Sequence, residues 1–340
     1  MLQVVELGAQ WPTIDPFLFC AHHLDLYPRA NDTMGPDATL DGRDIGMDFA
    51  GLDGWRMYHG TTVPGFPQHP HRGFETVTYV RRGFIDHSDS LGATARLGRG
   101  DVQWLTAGSG IVHAEMFPLI ERDEPNTCEL FQIWLNLPRA NKMVDPYFTM
   151  LWGEDLPAQR LVDTNGNGVD VTVVAGAFGD TAPPTPPPDS WAATVDHEVG
   201  IWHLVMEPNA TCTLPSAQNA NTVRTIYLFE GAAHVASHPL TASQAAVVDA
   251  HAEFAITASE HGAEILVLQG QPIGEPVARH GPFVLNDQAG IEQAFRDYQR
   301  TQFGGWPWKR IDPVHTREQA RFAQHPDGRV DHPPATAARP

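Results

Sequence analysis

Glycine and proline punctuate this chain at short intervals, and that punctuation constrains its fold more than any other feature. The 30 glycines and 29 prolines make up about a sixth of the 340 residues. Between them lie short segments rich in Val, Ile, Thr, Phe, Tyr and Trp. Examples are Thr76-Val77-Thr78-Tyr79-Val80, Phe131-Gln132-Ile133-Trp134-Leu135 and Thr225-Ile226-Tyr227-Leu228-Phe229. Strands of about five residues bounded by turn residues predict an all-β sandwich or barrel. A single helix is predicted over 289–298, where Ile291, Ala294, Phe295 and Tyr298 share a face at 3/4 spacing.

Two stretches read as neither strand nor helix. Residues 180–190 hold Pro183, Pro184, Pro186, Pro187 and Pro188, so they predict an extended connection and exclude a central strand. Residues 309–340 carry six of the 22 basic residues, five prolines and almost no apolar periodicity. They read as a flexible tail or a surface strap, dispensable for the fold. A faint repeat links Pro67-Gln68-His69-Pro70-His71 to Pro215-Ser216-Ala217-Gln218-Asn219, each sixteen residues before a glycine, Gly83 and Gly231. Aligned without gaps, His69 falls on Ala217 and His71 on Asn219, which predicts one metal per chain.

Composition narrows the class. At 42% hydrophobic and 19% charged residues the chain has enough apolar matter for a sizeable core. No apolar run approaches the length of a membrane span, and Met1 is not followed by a basic and then an apolar stretch. The three cysteines, Cys20, Cys128 and Cys212, form neither a disulfide framework nor a CxxC, which suits a reducing cytoplasm. A formal charge of −19 disfavours direct contact with a phosphate backbone. A cytoplasmic protein touching neither nucleic acid nor membrane is expected.

The chemistry sits in two segments: Gln68-His69-Pro70-His71-Arg72-Gly73-Phe74-Glu75, and Gly108-Ser109-Gly110-Ile111-Val112-His113-Ala114-Glu115-Met116. On a strand, residues two apart face the same way, so His69 projects with His71 and His113 with Glu115. Glu75 shares the parity of the first pair. Two such strands side by side gather three imidazoles and a carboxylate, a metal site with open coordination positions. A lone H-x-H on a polar loop is usually only solvated, and the chain has 17 histidines. The second segment, after a glycine-rich turn, is what favours a metal. The remaining histidines, His87 among them, have no such partner in the sequence and read as ordinary.

These segments resemble the cupin pattern, and more closely the pirin family. The likeness extends to Asp15-Pro16-Phe17-Leu18, to Gln132, Trp134, Asn136-Leu137-Pro138, and to Gly281-Pro282-Phe283-Val284-Leu285-Asn286. It covers about residues 10–305. It implies a bicupin of two β-barrel-like domains face to face. The N-terminal cupin (1–150) would hold the metal, and the C-terminal cupin (151–308) would lack metal ligands. The resemblance further implies His69, His71, His113 and Glu115 as ligands, with Glu75 placed to orient a ligand imidazole. Strand parity alone leaves the choice between Glu115 and Glu75 open. The segment 27–55 is longer than the usual pirin opening.

The resemblance implies iron(II), with zinc, nickel, manganese and copper as alternatives, and a quercetin 2,3-dioxygenase type of flavonol ring cleavage using dioxygen. Catalytic roles then fall to Glu115 and Glu75, and the partners are a flavonol- or catechol-like aromatic and dioxygen. The alternative is an iron- and redox-sensing module that binds a protein partner, resembling a transcriptional co-regulator, without turnover. A duller reading is a structural zinc or nickel site.

Overall fold

The computed structural model describes residues 3–335. The chain divides into two compact units, and neither is continuous in sequence. Among the described residues one comprises 3–21, 134–136 and 156–274; the other comprises 22–133, 137–155 and 275–335. The expected boundary near 150 therefore separates less than the sequence suggests, because residues 275–335 return to the unit built from the first half.

That histidine-bearing unit is a sandwich of two antiparallel sheets. One has the strand order Tyr147–Leu151, Val102–Thr106, Phe74–Arg82, Asn126–Asn136, Phe17–Tyr27, and of its last two strands residues 126–133 and 22–27 belong to this unit. The other runs Val330–Asp331, Phe322–Gln324, Thr94–Gly98, Phe84–Asp89, Ile111–Met116, Gly65–His71. Val80, Leu105, Leu130 and Phe148 of the first sheet share one core with Ile85, Ala95, Leu97 and Ile111 of the second. Burying such side chains between two faces is what makes short β-branched and aromatic segments stable as strands.

The other unit is one nine-stranded antiparallel sheet. Its central strands, Val223–Val235 and Ala255–Gly270, shift register between Leu228 and Glu230 and again between Gly231 and Ala233. Such bulges bend a long strand. The core of this sheet includes Val171, Trp202, Leu204, Ile226 and Ile265. The loop after Thr211–Thr213 holds Ala217 and Asn219, the counterparts of the first copy's histidines, and neither lies on a strand. Asn219 donates instead to the carbonyl of Asp196 and to Gln271 Oε1.

The predicted helix exists over Gln288–Thr301, the sole α-helix among the described residues. Asp287 caps it by accepting from the Gly290 amide. Its apolar face packs on Phe283 and Leu285, and Asp297 on its polar side pairs with Arg72 at 2.9 Å. The proline-rich segment is extended and strandless, as its composition requires, apart from one bridge between Phe178 and Thr181.

The tail reverses the expectation of dispensability. Residues 322–324 pair with Thr94–Gly98 and extend the histidine-bearing sheet. Arg96, 1% exposed, forms a two-pronged pair with Asp86 and also donates to the carbonyls of Thr316 and Gln319. Arg317 donates to the carbonyls of Leu119, Ile120 and Asn31, and Arg321 pairs with Asp101 and Glu154. The Gln68 amide donates to the carbonyl of Ile311 at 2.7 Å, one residue from His69. These contacts join charged side chains to backbone carbonyls, which leaves no hydrophobic period in the sequence.

Gly73 ends the H-x-H segment at φ +85°, and a Cβ there would stand 2.0 Å from the Val284 carbonyl oxygen. The buried Lys142 ammonium fastens the same corner, donating to the carbonyls of Gly73 (2.8 Å) and Val284 (3.2 Å). Replacing Gly73 by alanine combines a left-handed backbone with a clash against main chain. It is expected to lower stability by about 3 kcal/mol or more, read as a lower urea midpoint at unchanged slope.

Candidate metal centre

The strands Gly65–His71 and Ile111–Met116 are antiparallel neighbours, and His69 stands directly opposite His113. Because alternate residues share a face, the pairing brings His69, His71 and His113 together. Their ring centroids lie 4.8 Å (His69 to His71), 4.4 Å (His69 to His113) and 4.9 Å (His71 to His113) apart. One ring nitrogen of each falls within 4.8 Å of the other two, and no other group of three His, Cys, Asp or Glu does so among the described residues. Gly65, at the start of the first strand, has φ +129° and would drive a Cβ to 2.5 Å from the Glu115 carbonyl oxygen. Only glycine permits the strands so close an approach there.

The imidazoles are arranged as neutral donors of lone pairs. His69 Nδ1 lies 2.8 Å from the carbonyl of Pro67, which puts the ring hydrogen on Nδ1 and leaves Nε2 free to ligate. Burial pushes the His69 imidazole down to about 4, helped by the nearby His59 and His87. It holds His71 and His113 well below the usual histidine range, with neighbouring imidazoles adding to the effect. His113 is fully buried and neither of its ring nitrogens has a hydrogen-bond partner among the described residues. A buried polar group so left is costly and calls for a ligand. Three neutral imidazoles with a carboxylate nearby fit a divalent first-row metal.

Comparison with known proteins identifies the family. Residues 8–135 match the model of the Pirin family, and residues 201–304 match the Pirin C-terminal cupin domain. The chain belongs to the pirin family. Its fold is accordingly a bicupin, two cupin-type β domains and one short helix. A pirin-like protein of Caulobacter vibrioides is 36% identical over 239 residues, 70% of this chain and 80% of its own length. A Pseudomonas aeruginosa protein named provisionally as a quercetin 2,3-dioxygenase is 37% identical over 240 residues, 70% of this chain and 79% of its own. The crystal structure of a quercetin 2,3-dioxygenase from Acinetobacter baumannii superposes with a TM-score of 0.69 at 25% identity. It covers 89% of this chain and 97% of that one.

Around the three histidines, this pirin builds a polar surround that the sequence shows only in part. Glu115, 6% exposed, places Oε2 3.9 Å from His113 Nε2. Thr78 approaches its Oε1 at 3.0 Å, and the Gln132 amide nitrogen its Oε2 at 3.5 Å. Burial raises its pKa, against the lowering effects of His87 and the Thr78 hydroxyl. Glu75, fully buried on the next strand, accepts from the Thr106 hydroxyl at 2.7 Å. His87, read as ordinary in the sequence, pairs across the ladder with Glu115 and lies 5.6 Å from the His113 ring. Its Nε2 is hydrogen-bonded to Asp89 at 3.1 Å. The alternation His87-x-Asp89 was the available signal.

Aromatic side chains flank the site, one of them, Phe49, from the segment 27–55. Phe66 lies 6.3 Å from the His69 ring, and Tyr58, His59 and Phe49 surround Phe66. Phe49 remains 47% exposed, so an apolar face is open beside the most accessible of the three histidines. Behind it, His23 Nδ1 meets the Tyr58 hydroxyl at 2.7 Å, which in turn donates to the buried Asp25 at 2.6 Å.

Proposed function

We propose that this chain is a quercetin 2,3-dioxygenase-type enzyme that opens a flavonol or related catechol-like ring at a single iron(II). The ligands would be His69, His71, His113 and Glu115. The observation that carries the reading is the trio of buried neutral imidazoles, with His113 lacking any hydrogen-bond partner among the described residues. When bound, iron(II) supplies open positions for a substrate oxygen pair and dioxygen, and acidifies a hydroxyl that reaches it.

The chain's own groups do the rest. Pro67 fixes the His69 tautomer. Thr78 and Gln132 orient the Glu115 carboxylate. The Glu115 carboxylate oxygen not engaged by the metal would accept the flavonol 3-hydroxyl proton. Phe66 and Phe49 give a planar substrate an apolar flank. We place the protein in the cytoplasm, a reading supported by three free, buried cysteines. No helix among the described residues is long and apolar enough to cross a membrane.

Aerobic incubation of the iron-loaded protein with quercetin is expected to consume oxygen with release of carbon monoxide, and His113→Ala is expected to do neither. Equal rates in the two proteins would remove the enzymatic reading and favour a metal-sensing role with a protein partner. Elemental analysis after anaerobic purification is expected to give one ion per chain. Two tightly held ions, or none, would contradict it.

A further inference from the structure

We infer that His59 accepts a hydrogen bond from a substrate hydroxyl remote from the metal, and so selects an aromatic with hydroxyls on more than one ring. That substrate class refines the flavonol reading above, on which it rests. His59 is exposed, and in the sequence it reads as ordinary. Its Nδ1 lies 2.7 Å from the Gly46 carbonyl, which puts the ring hydrogen on Nδ1 and leaves a lone pair on Nε2. Nε2 has no hydrogen-bond partner among the described residues. A fixed acceptor of this kind asks for a hydroxyl.

The backbone holds His59 beside the metal centre. Its amide donates at 3.1 Å to the carbonyl of Gly65, the first residue of the strand that carries His69 and His71. Phe66 spans the remaining gap, with its ring centre 5.7 Å from that of His59 and 6.3 Å from that of His69. Phe49 meets the His59 ring edge-on at 5.1 Å. Aromatic surface therefore runs from the metal-binding imidazole to the free one. A planar substrate laid along Phe66, with one oxygen pair at the metal, brings its far ring to His59.

The residue before His59 is strained. Tyr58 has φ +56°, a left-handed conformation that a bulky side chain rarely adopts. Its amide and carbonyl both pair with Asp48, at 3.0 and 2.9 Å, and its hydroxyl is held between His23 and the buried Asp25. Asp48 is fixed in turn by Arg43 at 2.9 Å and by the Met57 amide. Strain held in place from so many directions is characteristic of positions where geometry serves a ligand. Arg43, Gly46 and Asp48 all belong to the segment 27–55, so that segment both orients the imidazole and locks the turn that presents it.

The test is anaerobic calorimetric titration of the iron-loaded, full-length protein with quercetin and with 3-hydroxyflavone. The second ligand keeps the oxygen pair that reaches the metal and lacks every other hydroxyl. His59→Phe, which keeps a ring and removes the acceptor, is expected to weaken quercetin by about tenfold and to leave 3-hydroxyflavone and the metal content unchanged. His59→Gln returns an acceptor and is expected to bind quercetin more tightly than His59→Phe does. An equal loss for both ligands assigns His59 a structural part and overturns the inference, as does no loss for either. Failure of the wild-type protein to bind either ligand overturns the flavonol reading and the inference with it. A selective loss of quercetin in His59→Phe, with no oxygen uptake by the wild type in air, upholds the role of His59 and removes only ring cleavage.

Discussion

A chain ending at Trp308 is expected to lose both stability and metal, although the composition of the missing residues argues the opposite. Truncation strips Arg96 of its contacts with Thr316 and Gln319, and Asp86 of the His315 amide that donates to it at 2.8 Å. The Arg96–Asp86 pair is fully buried, and leaving such groups without these hydrogen bonds costs about 1–3 kcal/mol for each. It also exposes Ala95 and Leu97 where Ala323, itself fully buried, had packed into the same core. For a unit of this size a loss of about 4 kcal/mol corresponds to a melting point lower by about 8–16 °C. Metal retention should fall too, because the Gln68 amide loses the Ile311 carbonyl beside His69. The check is a thermal melt and a metal assay on the shortened protein. Melting within a few degrees of the full chain, with metal held, would show the strap to be ornamental.

Exchanging Glu115 for glutamine is expected to weaken iron(II) binding by more than 100-fold, and exchanging Glu75 by about 10–100-fold. Glutamine preserves shape, so the difference isolates the carboxylate charge. Glu115 stands 3.9 Å from His113 Nε2, on the same strand and the same face. A first contact to the metal from that position supplies a unit of negative charge that an amide cannot replace. Glu75 lies beyond the turn at Gly73, on the neighbouring sheet, with the Thr106 hydroxyl on its Oε1. From there it would act by steadying groups around the metal, which is the role the variant tests. Anaerobic titration of both variants with iron(II) separates the roles. Normal binding by Glu115→Gln together with loss in Glu75→Gln would transfer the ligand role to Glu75.

What could be read beforehand followed from local periodicity. His69-x-His71 and His113-x-Glu115 needed only the two-residue repeat of a strand, and the helix at Gln288–Thr301 only its 3/4 face. The proline-rich segment excluded itself from any central strand. What escaped reading was non-local. Thr78 and Gln132 reach Glu115 from two further strands, and neither residue type signals that duty in isolation. His87 looked ordinary because its neighbour across the ladder is 28 positions away in the chain. The strap was hidden for a different reason. Arg317 and Arg321 serve backbone carbonyls and carboxylates, and such contacts follow no spacing rule.

The discontinuity of the histidine-bearing unit dictates an order of assembly. A ribosome delivers residues 156–274, the bulk of the other unit, while 275–335 are still unmade, and domains generally fold as units as they emerge. The sheet that carries His69 and His113 must therefore wait, with the edge of Thr94–Gly98 uncovered, until Phe322–Gln324 have been translated. During that interval the uncovered edge is open to any neighbouring nascent chain. A stop between residues 274 and 322 would leave the later-closing unit without the strand that covers its edge, a species fit for chaperones rather than for a metal.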